Sequence, residues 1–90
     1  MPLMDVSLSG EEVKIVEGEM SRLGLAYHNL KTRKSGHFRF ADLHLELPEN
    51  MELKEVHRIC DEVENALMAR LKNLEINIHV EPVVPEQKQR

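Results

Sequence analysis

From residue 38 to residue 47 the chain alternates without a break. Phe38, Phe40, Asp42, His44 and Glu46 fall on one parity, and Arg39, Ala41, Leu43, Leu45 and Leu47 on the other. A period of two is the repeat of an extended strand, whose successive side chains point to opposite faces. No helix sorts these residues in this way. The leucine parity therefore has to meet a core supplied by the rest of the chain, and His44 belongs to the opposite face.

A chain of 90 residues supports one domain, which buries roughly 60–65% of its unfolded surface. Its aromatics are Tyr27, Phe38 and Phe40, with no Trp, so leucine, valine, isoleucine and methionine must fill the core. Two segments have the helical period needed to cover the leucine face. The first opens on Ser9-Gly10-Glu11-Glu12, a capping-box pattern, and carries Val13, Val16, Met20 and Leu23 at helical spacing before stopping at Gly24. Gly18 is unfavourable inside it, and close packing is the one reason to expect it there. The second, over residues 51–72, has the stripe Leu53, Val56, Ile59, Cys60, Val63, Leu67 and Leu71, with Asn73 as its stop. Glu11, Glu12, Glu17 and Glu19 are expected on a solvated face, as are Asp61 and Glu64.

Residues 25–33 form a strand ahead of the central one, and Lys34-Ser35-Gly36 reads as the hairpin turn. Residues 74–81 form the last strand, with Leu74, Ile76, Ile78 and Val80 on one face and Glu75, Asn77, His79 and Glu81 on the other. Pro82 and Pro85 end it. The order helix, strand, strand, helix, strand predicts an α/β (α+β) ferredoxin-like sandwich that lacks its first strand. Both helices lie on one face of a small antiparallel three-stranded sheet. Residues 9–82 make up the domain, 1–8 lead into it irregularly, and 83–90 trail as a flexible tail. The uncovered face carries His44, His79, Glu81 and, in register, His28, among Phe38, Phe40 and Leu30. Such a face is expected to be covered by a second copy in a homodimer.

The histidines are the chemical content of that face. His79-Val80-Glu81 is the best piece, because residues two apart on a strand project to the same side and bring an imidazole beside a carboxylate. His44, on a neighbouring strand, supplies a third donor. His57 lies early in the second helix with Asp61 one turn on, and approaches the cluster only if that turn sits at the sheet edge. Spacing alone leaves a metal site and a set of ordinary surface histidines both open. His37, beside the turn, is given no role. Lys31, Arg33, Lys34 and Arg39 gather at the hairpin, where they serve interface ion pairs or nothing in particular; exposed pairs of this kind contribute about 0–1 kcal/mol.

Net charge is −4, which argues against nucleic-acid binding through phosphate neutralisation. No apolar run approaches the roughly 18 residues of a membrane span, and no signal peptide is visible, so this piece reads as soluble. Cys60 is the single cysteine; it allows no internal disulfide, suits a reducing compartment, and reads as a small buried hydrophobe. No nucleophile–base pair is visible, and an enzyme is not expected.

His28-Asn29-Leu30-Lys31-Thr32-Arg33-Lys34-Ser35-Gly36 resembles the H-x-L-(R/K)-T-R-x-S-G segment in the cytoplasmic C-terminal domain of the cation diffusion facilitator transporters. Asp42-Leu43-His44-Leu45-Glu46, then Leu53-Lys54-Glu55-Val56-His57 with Asp61, then Ile78-His79-Val80-Glu81-Pro82 agree in order and spacing. Leu3-Met4-Asp5 followed by Ser9-Gly10-Glu11-Glu12 is similar to the link that leaves the last membrane helix. The resemblance extends over residues 5–82. It implies a metallochaperone-like domain of a dimeric membrane antiporter that exports zinc, or a related divalent metal ion, in exchange for protons. In that family the domain pairs with its twin and binds metal at the interface, and occupancy tunes transport. Carried over by residue, His28 and His44 hold one ion, His57 and His79 the other, and Glu81 stands where the shared carboxylate lies. Some members have aspartate at that last position, one methylene shorter. The partners implied are a homodimer twin, divalent ions and the transmembrane domain of the same full-length chain, with no nucleic acid. Two other readings stand beside this one: a metal-independent dimerisation module of the same transporter, and a stand-alone soluble metal carrier.

Overall fold

A computed structural model describes residues 6–85. In chain order these form α1 (Gly10–Leu23), β1 (Tyr27–Ser35), β2 (Phe38–Pro48), α2 (Leu53–Arg70) and β3 (Leu74–Val83). The order is the expected one. Residues 1–5 and 86–90, expected as part of the link and of the tail, lie outside the described residues.

Local chemistry sets the helix ends. Ser9 Oγ accepts from the Glu12 backbone N–H at 3.1 Å, and Glu12 Oε1 accepts from the Ser9 N–H at 2.9 Å, so two of the orphan donors at the start of α1 are satisfied reciprocally. Gly24 closes α1 with φ 70 and donates to Met20 and Ser21, a backbone state that costs glycine nothing. Gly18 is different. A Cβ there would meet nothing within 4 Å, so close packing does not explain it. After α2, Asn73 takes φ 56 in the turn into β3, and its Nδ2 donates to the His37 carbonyl at 3.1 Å.

The sheet order is β1-β2-β3, with β1 antiparallel and β3 parallel to β2. It is a mixed sheet, not the antiparallel one expected. The cause is α2, which carries the chain back to the end where β2 began, so that β3 runs alongside β2 in the same direction. β3 also continues through Pro82 to Val83, past the expected stop at Glu81. It is an edge strand, with one row of backbone groups outside the ladder, and proline is tolerated there.

Ala41, Leu43, Leu45 and Leu47 from β2 meet Val16 and Met20 of α1 and Ile59, Val63 and Leu67 of α2 in one buried cluster. Leu8 joins it. The segment leading into α1 is therefore partly built into the domain: Val6 and Lys34 exchange backbone hydrogen bonds, and the Leu8 N–H donates to Thr32 Oγ1 at 3.2 Å. Leu53 departs from the expected stripe. It is 73% exposed and borders a groove shared with Val80 and Pro82 of β3.

Glu12 and Glu19 are not on a solvated face. Glu12 also binds the Arg39 guanidinium, which comes from the leucine parity of β2, and with the Ser9 N–H this holds the Glu12 carboxyl down at about 2. Glu19 is buried and takes Arg22 at 2.7 Å and Arg70 at 2.9 Å, tying α1 to the end of α2. Cys60 packs half-buried against the core, and burial pushes its thiol pKa up.

Among the described residues, the sheet's one shift of register lies in β1. His28 pairs with His44 and Lys31 with Asp42, so Asn29 and Leu30 together face Leu43 alone. Asn29 absorbs the extra residue with φ 55, the signature of a bulge. Strict alternation would place His28 and Leu30 on the same face. With the bulge, His28 stays on the open face while Leu30 turns to pack against the core.

Candidate metal centre

The ladder sets the site. His28 of β1, His44 of β2 and His79 of β3 are register partners across the three strands, and one step further along the open face Glu46 is the partner of Glu81. A row of imidazoles thus lies beside a row of carboxylates. The ring centroids are 5.2 Å apart from His28 to His44 and again from His44 to His79.

The contacts within the rows are specific. His44 Nδ1 lies 2.8 Å from Glu81 Oε2. His28 lies between two carboxylates, with Nδ1 2.9 Å from Glu46 Oε2 and Nε2 3.3 Å from Glu81 Oε1. An ionised carboxylate only accepts, so Nδ1 of His28 and of His44 carries a hydrogen. In the neutral His28 ring the shorter contact, to Glu46, takes the single N–H, and Nε2 carries one toward Glu81 only when the ring is protonated. The Glu46 hydrogen bond raises the His28 pKa above its ordinary 6.5; partial burial opposes this, and the Glu81 charge adds to it. The hydrogen bond from His44 lowers the Glu81 pKa, burial opposes it, and the His28 charge again helps.

One donor atom each from His28, His44 and Glu81 lies within 4.8 Å of the others. Two imidazoles and a carboxylate at this separation suit a divalent first-row ion. His79 is exposed and stacks beside His44, outside that group of three. His57 is exposed on α2 and lines a groove with Val56, Cys60, Asp61, Val80 and Pro82. Val80 and Pro82 belong to the other parity of β3, so His57 and His79 lie on opposite sides of that strand's alternation.

Glu46 is the residue that spacing did not single out. The alternation of β2 puts it on the open face, but nothing there separates it from a solvated carboxylate; the bulge does, by bringing the His28 ring against it. Farther along the same face, the Arg33 guanidinium lies 3.9 Å over the Phe40 ring and Asn77 donates to Asp42 at 3.0 Å. Phe38 is 59% exposed.

Residues 9–83 match the family described as "Cation efflux protein, cytoplasmic domain". The cation-efflux pump FieF of Yersinia pestis (strain Pestoides F) is 43% identical over 63 residues, covering 68% of this chain and 21% of the pump. The chain thus spans about a fifth of the length of the curated relatives it matches. Among solved structures, the Zn form of the transporter CzrB superposes with a TM-score of 0.74 at 35% identity, covering 94% of this chain and 100% of that one. The metal-bound C-terminal domain of the CzcD transporter from Thermotoga maritima gives 0.71 at 21% identity, over 83% and 94%, and shares the fold. These relatives are transporters rather than enzymes. Among the described residues no helix is long and apolar enough to cross a membrane. With a family match that runs from the cap of α1 to the last residue of β3, the chain belongs to the cation efflux proteins, as their cytoplasmic domain.

Proposed function

We propose that this chain is the metal-responsive cytoplasmic domain of a divalent-cation efflux transporter, and that zinc bound on its open sheet face favours pairing of two copies. The observation that carries this reading is the convergence of His28, His44 and Glu81 within 4.8 Å. An ion there supplies positive charge toward which neutral imidazoles and carboxylates turn. Without it, two copies that bring Glu46 and Glu81 to a shared face repel. An ion that binds the closed pair better than the open one shifts the equilibrium by its differential affinity and no more. A second ion is assigned to His57 and His79, with Glu81 shared. Because those histidines lie on opposite sides of the β3 alternation, its donors would be drawn from two copies. The membrane part of the full-length chain, whose transport this pairing would tune, lies outside residues 9–83.

The alternative is a pairing module that needs no metal. It has its own support, since His28 and His44 are already hydrogen-bonded by Glu46 and Glu81. Zinc titration of chelator-stripped protein by calorimetry, with sedimentation to follow the dimer, separates the two. The metal reading expects micromolar or tighter binding that His44→Ala weakens more than about tenfold, and tighter pairing when loaded. Pairing without any zinc binding overturns it in favour of the module.

A further inference from the structure

We propose that Glu46 is the positioning residue of the site. It fixes the tautomer and orientation of His28 so that Nε2, and not Nδ1, is the nitrogen offered to an ion. This rests on the metal reading above. The metal-free contacts carry it.

An imidazole that binds metal through one nitrogen needs a partner on the other, or the ring turns and the tautomer is undefined. Glu46 Oε2 at 2.9 Å supplies that partner on Nδ1, leaving Nε2 facing Glu81. Glu46 itself lies outside the group of three whose donor atoms converge. It therefore stands one layer behind the candidate ligands.

His28 is also the ligand most in need of such support. It sits beside Asn29, whose left-handed backbone marks the bulge, on a strand at the edge of the sheet. Glu46 stands on β2, paired on both sides, between the buried residues Leu45 and Leu47. A side chain held by the most constrained strand orients one carried by the least regular. The spacing is simple: two residues past His44, the alternation of β2 returns a side chain to the ligand face.

The test is Glu46→Ala and the isosteric Glu46→Gln, read in two ways. Nitrogen-15 NMR of the metal-free domain, above the titration of the ring, reports the His28 tautomer. Wild type should show Nδ1–H, Glu46→Ala should shift toward Nε2–H, and Glu46→Gln, whose amide oxygen still accepts, should lie between. Zinc affinity should fall between about 10- and 100-fold in Glu46→Ala and less in Glu46→Gln, while the visible spectrum of the cobalt-loaded protein keeps its form. An unchanged tautomer, or an unchanged affinity in Glu46→Ala, overturns the proposal. A cobalt spectrum that changes its coordination signature overturns it too, by making Glu46 a ligand. If wild type binds no zinc, the metal reading falls, and the tautomer still decides whether Glu46 orients His28.

Discussion

The two faces of β2 are built on different rules. One face presents Ala41, Leu43, Leu45 and Leu47, all nearly inaccessible, where volume and the absence of voids decide what fits. The other presents Phe40, Asp42, His44 and Glu46, all half-exposed, where the position of single polar atoms decides what happens. The same backbone carries both, so rigidity gained by burying the leucines is available to the histidines. Stability and chemistry are thus separable by parity.

The largest expected effect comes from the buried side. Leu45→Ala leaves a cavity under a residue with 0% exposure and should cost about 2–5 kcal/mol in urea unfolding, weakening zinc binding only as far as it unfolds the domain. The counterpart on the open side is His44→Ala. It should lower zinc affinity more than about tenfold, since orienting groups one layer further out are worth that much, while metal-free stability moves by about 0.5 kcal/mol or less. A metal-free loss as large as that of Leu45→Ala would erase the distinction between the faces.

Proton competition sharpens it further. Only unprotonated imidazole binds metal, so with the His28 pKa raised, zinc affinity at the proposed site, read by calorimetry, should begin to fall above pH 6.5 as pH is lowered. In the metal-free domain the sign reverses. His28 contributes stability that is fully present below pH 6.5 and is lost as pH rises through its raised folded pKa. Glu81 contributes stability present above 4.5 that is lost as pH falls through its lowered value. Melting temperature against pH, with His28→Gln as reference, should lose the upper of these two inflections; an unaltered profile would mean that the open face does not feel its own charges. The smallest effect lies off both faces. Gly18→Ala, at an exposed position of α1, should stabilise by about 0.5–1 kcal/mol, read by thermal melting, because alanine is the better helix former and its methyl group meets nothing.

The pattern of residues made the element order, the caps and the sorting of β2 legible, because each depends on neighbours close in sequence. The direction of β3 was open to the same reading, since a strand–helix–strand crossover runs parallel, but an antiparallel sheet was expected in its place. What spacing could not reveal is nonlocal. Asn29 carries no pattern that announces a left-handed residue, so the opposite fates of His28 and Leu30 were hidden. Glu19 looked like any acidic residue on a helix until Arg70, distant in sequence, came to meet it. Among the candidate ligands, His28, His44 and Glu81 converge because ladder register brings them together, whereas His57 sits on a helix whose approach to the sheet no periodicity fixes.

The docking of Val6 and Leu8 onto the outer edge of β1 has a mechanical consequence. Paired backbone bonds to Lys34 and a bond to Thr32 make β1 the first strand to take load when the chain ahead of Val6 is pulled or twisted. That strand also bears His28. Ligand atoms have to be held close to their productive geometry, so a small shear of β1 against β2 would alter how His28 meets an ion at the proposed site. Tension ahead of the domain and an ion at the proposed site would then act on the same strand, one through its outer edge and the other through its open face.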